Sequence, residues 1–123
     1  MSFIKRIPRP LPMIERIADM GYPALFTLWI SVNVVCACIY YYLATLHPEH
    51  APREIVGMEP MGRFLNSLYF SLMTATTTGY GDIVPQGFSK AVASIESTIA
   101  FLIFGIFIAQ LGARHAVTIS KRK

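Results

Sequence analysis

The sequence predicts an all-α membrane protein in which two transmembrane helices flank a re-entrant segment, part short helix and part extended chain. Three observations carry this. Of 123 residues, 54% are hydrophobic and 15% charged, against about a quarter charged in ordinary soluble domains. Ala24 to Leu46 and Ala91 to Ala113 are 23 residues each, the first free of charge and the second interrupted only by Glu96. At about 1.5 Å per residue, each run crosses a hydrocarbon core of about 30 Å. Between them Phe64 to Gly81 is also uncharged, but the Thr and Gly content of its second half suits neither a lipid-facing helix nor a sheet edge.

Residues 1–22 form a basic N-terminal segment. Six charges within Met1 to Met20 exclude a signal peptide. Pro8, Pro10 and Pro12 forbid a helix at the start, after which Met13, Ile14, Ile17 and Ala18 alternate with Glu15, Arg16 and Asp19 as a short two-faced helix suited to the membrane surface. The outer span follows at 24–46, with Pro23 fitting a first-turn position and Tyr40, Tyr41 and Tyr42 at the level of an interfacial aromatic belt. Cys36 and Cys38 are two apart in this run and point to different faces, as core or lipid-facing residues. Residues 47–62, polar and Pro-containing, read as an exposed loop. His47 and His50 are solvated loop residues here, two ligands without a third partner being a weak metal site. The inner span occupies 90–113, with Gly105, Ala109, Gly112 and Ala113 as a stripe of small residues, and 114–123 form a basic tail.

Of eleven Lys and Arg, four precede the first span and four follow the last. The positive-inside rule therefore places both termini in the cytoplasm of a plasma-membrane protein. The basic excess needs no nucleic-acid partner. A third crossing between the spans would carry the basic tail outside, so the middle segment is re-entrant: about 13 helix-competent positions dip inward and the chain returns extended. Irregular backbone at membrane depth requires protein or water around it, so the return strand lines an aqueous path.

The residues of that strand, Thr77-Thr78-Gly79-Tyr80-Gly81-Asp82 preceded by Ala75-Thr76, resemble the selectivity filter of potassium channels. Ala24 to Ala113 also follows that family's order of outer helix, pore helix (63–76), filter (77–82) and inner helix. The resemblance implies that the carbonyls of Thr77, Thr78, Gly79 and Tyr80, with the Thr77 hydroxyl, replace the hydration shell of K⁺. Gly79 and Gly81 permit positive φ, so alternate backbone conformations turn successive carbonyls one way. Tyr80 would pack against the pore helix and Asp82 would sit at the outer mouth, while the C-terminal end of the pore helix near Thr76 aims partial negative charge at a waiting cation. One filter per chain implies a homotetramer in a lipid bilayer, with K⁺ in the filter and no organic cofactor.

Several positions depart from the family pattern. Thr78 stands where Val or Ile is commoner, adding a hydroxyl that needs a partner. Met73 occupies a position where some relatives carry a Glu that supports Asp82, which implies altered filter inactivation. Phe70 lacks an indole N–H, leaving Thr74 as partner for Tyr80. Glu96, ionisable within a span and near its outer end, is either a structural residue hydrogen-bonded to the pore helix or a proton-sensitive gating residue. Gly105 is the flexible point for inner-helix bending, and Phe101, Phe104 and Phe107 supply candidates for a hydrophobic constriction. His115 beside Arg114 reads as a juxtamembrane anchor or a cytoplasmic pH sensor.

The reading is passive K⁺ conduction, with no enzyme, no repeated-Arg voltage sensor and a regulatory domain, fused or separate, outside this chain. The alternatives are a less selective monovalent cation channel of the same architecture and a non-conducting membrane scaffold that associates through the small-residue stripe.

Overall fold

A computed structural model describes residues 12–122, so the expectations resting on Pro8, Pro10, the early basic residues and Lys123 lie outside the described residues. Four α-helices and no strand occur among the described residues. α1 is Pro12–Ala18, begun by proline, whose missing N–H costs nothing in a first turn. Asp19 and Met20 close it with bonds to Glu15 O and Ile17 O.

α2, Tyr22–Leu46, has 25 residues and starts two before the expected position, with Pro23 in its first turn. It spans about 37 Å. The His47 amide bonds Leu43 O at 2.8 Å and Pro48 ends the helix, which gives way to a 3₁₀ turn at Pro48–His50.

The loop differs from expectation. It is not wholly solvated: Ala51 and Ile55 are fully buried and join Tyr40, Leu43, Phe70, Ile83 and Val92 in the main apolar cluster. It is also shorter, because α3 begins at Pro60 and not at 63. The proline takes the same first-turn role as Pro12 and Pro23. His47 and His50 both lie beside the Glu49 carboxylate, at 3.5 and 3.9 Å. Among the described residues no group of three or more His, Cys, Asp and Glu could hold a metal.

α3, Pro60–Ala75, is 16 residues, about 24 Å long, too short to cross. Ser67, Phe70, Ser71 and Ala75 form its buried stripe at helical spacing. α4, Phe88–Lys121, runs 34 residues, about 51 Å. It extends eight residues past the expected end at 113, because Ala113 to Lys121 contains no Gly or Pro to stop it. Residues 114–121 are therefore helix and not an irregular tail. Its inward stripe is Ser89, Val92, Glu96, Ala100 and Ile103.

α3 nests between α2 and α4. Only 22% of each long helix's apolar window is buried, so most of both surfaces is free to meet lipid or other copies, unlike the core helix of a soluble domain. Low on the molecule, Gln110 Nε2 donates to Met20 O at 2.9 Å, Tyr22 meets Phe107 edge-on at 5.3 Å, and the Arg114 guanidinium lies 4.2 Å from the centre of the Tyr22 ring. Cys36 is half-buried and Cys38 exposed, so the two diverge as their spacing predicts.

Candidate functional site

The segment after α3 is organised by how that helix ends. The last carbonyls of an α-helix lack intrahelical partners. Here Leu72 O takes the Thr76 amide at 3.0 Å and Thr74 O takes the Thr77 amide at 3.1 Å. Met73 O takes two amides, Thr78 at 3.0 Å and Gly79 at 3.3 Å. The N–H groups of residues 76–79 are thus spent on the helix end. No described donor bonds the carbonyls of residues 77–81.

The backbone of that ribbon alternates. φ is +57° at Thr77, +50° at Gly79 and +79° at Gly81, with no positive φ at Thr78 or Tyr80. In an ordinary strand successive carbonyls point to opposite sides; reversing the hand at every second residue brings them to one side, as successive N–H groups converge in a nest. Glycine accepts this conformation freely. Thr77 does not: it is the only non-glycine with positive φ among the described residues, and a β-branched side chain there is a genuine outlier costing on the order of 1–3 kcal/mol. Such strain persists only where the surrounding structure holds it, here the amides of residues 76–79 bound to the end of α3.

The chain is held behind this ribbon and free in front of it. Thr76 Oγ1 donates to Leu72 O at 2.8 Å, and the Thr78 hydroxyl finds Thr76 Oγ1 at 2.9 Å. That is the partner the added hydroxyl of Thr78 requires. Beyond the ribbon, Ile83 is buried in the apolar cluster and the Val84 amide donates to Glu54 Oε2 at 3.0 Å. Gly87 has φ +50° and sits so close to the loop that a Cβ would lie 2.5 Å from His50 Nδ1. Residues 76–82 are all exposed within the single chain, Tyr80 by 71%.

Three residues singled out beside the ribbon make contacts of their own within the chain. The Thr74 hydroxyl donates to Phe70 O at 2.8 Å and not to Tyr80, whose side chain is largely exposed within this chain. Phe70 is buried against Tyr40, edge to face at 4.8 Å, as a core residue and not a filter contact. Met73 acts through its carbonyl, as above. The side chain within electrostatic reach of Asp82 is that of Tyr69 on α3. Sequence reading missed it, though its place four residues before Met73 on α3 is the only signal available.

Glu96 is fully buried, within hydrogen-bond reach of two other helices. Tyr40 on α2 donates to Oε2 at 2.7 Å, and Ser71 on α3 bonds Oε1. Ser71 Oγ also lies 2.8 Å from Asn33 O on α2, and the Cys36 thiol faces the same carboxyl. These partners lie 56 and 25 residues from Glu96 in sequence, so no local pattern reveals them.

Beneath the ribbon is a cavity of about 410 Å³ lined by Leu25, Trp29, Thr77, Phe101, Phe104 and Phe107. The three phenylalanines of α4 thus border one cavity with Leu25 and Trp29 of α2, Phe101 and Phe104 remaining mostly exposed, and Phe107 meets Tyr22. Gly105 lies exposed within an unbroken α4, with open space where a Cβ would sit.

Comparison with known proteins places this geometry. A family model described as "Ion channel" matches residues 27–115. Potassium channel GORK of Arabidopsis thaliana is 33% identical over 132 residues, covering 89% of this chain and 15% of the relative. Potassium channel KOR1 of Oryza sativa subsp. japonica is 32% identical over 117 residues, covering 77% and 13%. The human potassium voltage-gated channel subfamily KQT member 1 is 32% identical over 99 residues, covering 79% and 14%. The chain thus spans between 13% and 16% of the length of such relatives.

Proposed function

The chain belongs to the ion-channel family, and on that premise we propose that it is one wall of a fourfold K⁺-selective pore whose filter is Thr77 to Gly81. The observation that carries the reading is the alternating positive φ at Thr77, Gly79 and Gly81 together with five carbonyls that accept no hydrogen bond. A ribbon of unspent oxygens is costly if buried and useful if a cation visits it. Four such ribbons about an axis give stacked oxygen rings that substitute for the hydration shell, and potassium surrenders its water more readily than sodium. The Thr77 hydroxyl completes the lowest ring, and Asp82 places negative charge at the outer mouth.

One ribbon cannot surround an ion, which is why the reading needs copies. The 71% exposure of Tyr80 supports this: a large aromatic beside strained backbone needs a wall, and the single chain leaves most of its surface uncovered. The relatives' names support potassium as the ion. The basic termini support an orientation with both in the cytoplasm, α1 along the inner membrane surface and residues 47–59 outside.

The test is purified protein in liposomes. Expected are K⁺ flux down a gradient, a reversal potential in mixed Na⁺ and K⁺ that follows K⁺, and a detergent-solubilised mass of four chains. Near-equal Na⁺ and K⁺ permeability would assign the less selective cation channel, and absence of flux from a correctly inserted protein would leave only a scaffold.

A further inference from the structure

The junction around Glu96 can be resolved by counting protons. Ser71 Oγ is in contact with three oxygens: Asn33 O at 2.8 Å, Asn33 Oδ1 at 3.4 Å and Glu96 Oε1. Asn33 Nδ2 is turned away to Trp29 O at 2.8 Å, so Asn33 presents only acceptors to Ser71. A serine hydroxyl carries one proton. If Glu96 were a carboxylate, that proton could serve only one close contact, and the other would set two oxygens against each other with nothing between them.

We infer that Glu96 is a neutral carboxylic acid that donates its proton to Ser71, and that it thereby acts as the positioning residue for the filter end of the pore helix. Glu96 Oε1–H then donates to Ser71 Oγ, Ser71 Oγ–H donates to Asn33 O, and Tyr40 Oη–H donates to Glu96 Oε2, so both close contacts of Ser71 hold a proton. The titratable groups facing Glu96 are Tyr40 and Cys36, both on α2; α3 presents only the Ser71 hydroxyl. Neither facing group is a cation, and an uncompensated charge at a fully buried position within a membrane span is expensive. Ser71 lies two residues before Met73, whose carbonyl anchors the amides of Thr78 and Gly79. A proton on Glu96 therefore locks α2, α3 and α4 together about half a turn before the Met73 carbonyl that anchors the ribbon.

The proposal rests on the pore reading for its functional half, so the test has a readout independent of conduction. In the full chain reconstituted with ¹³C-carboxyl glutamate, infrared spectra should show a protonated carboxyl carbonyl band from about pH 5 to about pH 9, where ordinary glutamate is ionised. Glu96→Gln should abolish that band, and Ser71→Ala should shift it by removing its acceptor. Because Gln donates and accepts in the same places, Glu96→Gln should conduct K⁺ within about twofold of the parent, whereas Glu96→Leu should lower the K⁺ to Na⁺ permeability ratio by roughly tenfold. The assignment is overturned if the band is absent at neutral pH, or if Glu96→Gln loses selectivity as far as Glu96→Leu does. A parent that shows the band yet passes no K⁺ sinks the pore reading and leaves the proton assignment standing.

Discussion

Gly79 and Gly57 make a matched pair. Both have positive φ, +50° and +84°, and at neither would an added Cβ meet an atom within 4 Å. Substitution by alanine therefore brings conformational strain and no collision at either site. Placing an L-residue in the left-handed region costs roughly 1–2 kcal/mol. At Gly57, in the loop before α3, that cost should appear as a loss of stability of about this size and nothing else. At Gly79 the chain has an escape: rotating to negative φ relieves the strain and turns a carbonyl out of the row. A bias of about 1–2 kcal/mol favours the rotated form by roughly 5- to 30-fold in each chain. With four chains around one axis, nearly every assembly would hold at least one displaced oxygen. Gly79→Ala should thus lose most K⁺ flux and selectivity in liposomes, while Gly57→Ala keeps both with a lowered unfolding temperature. A Gly79→Ala protein that conducts K⁺ selectively, or a Gly57→Ala protein equally defective, would refute the reasoning.

Other expectations follow from single contacts. Gly87→Ala combines positive φ with a 2.5 Å approach to His50 Nδ1, and should destabilise the assembly by about 2–4 kcal/mol in thermal unfolding, partly restored by trimming His50 to Ala. Tyr69→Phe removes a hydroxyl within electrostatic reach of Asp82; on the pore reading, sustained recordings should show faster decay of K⁺ current at unchanged peak selectivity. Tyr22→Leu and Arg114→Gln, made singly and together, should reveal a coupling of about 0.5–1 kcal/mol in stability from the ring and guanidinium 4.2 Å apart. Additive effects would show that this stack carries no energy.

The elements were legible because burial in a bilayer imposes length. Apolar runs of 23 residues have few alternatives, and the ribbon's Thr and Gly content separated it from a third span. Boundaries were less so. Pro60 opens α3 by the same chemistry as Pro12 and Pro23, a signal present in the letters but outweighed by the polar residues around it. α4 ran on to Lys121 because charge at 114 and beyond marks an end of the apolar stretch and not an end of helix. Within the site, the alternating ribbon followed from its glycines, while the strained Thr77 shows only in the backbone. What stayed hidden depends on distant pairing: Ile55 in the core, Phe70 turned to Tyr40, and the Tyr40 and Ser71 hydroxyls on Glu96 join residues that no periodicity connects.

The way α3 terminates has an effect on the sign of what can be held beside it. Because the helix end consumes the amide hydrogens of residues 76 to 79, that stretch shows a visitor carbonyl lone pairs and no backbone N–H. A chloride arriving there would find no amide to grip, whatever its diameter. On the pore reading, discrimination against anions would begin in the folding of one chain, before any neighbour arrives to measure the size of a cation.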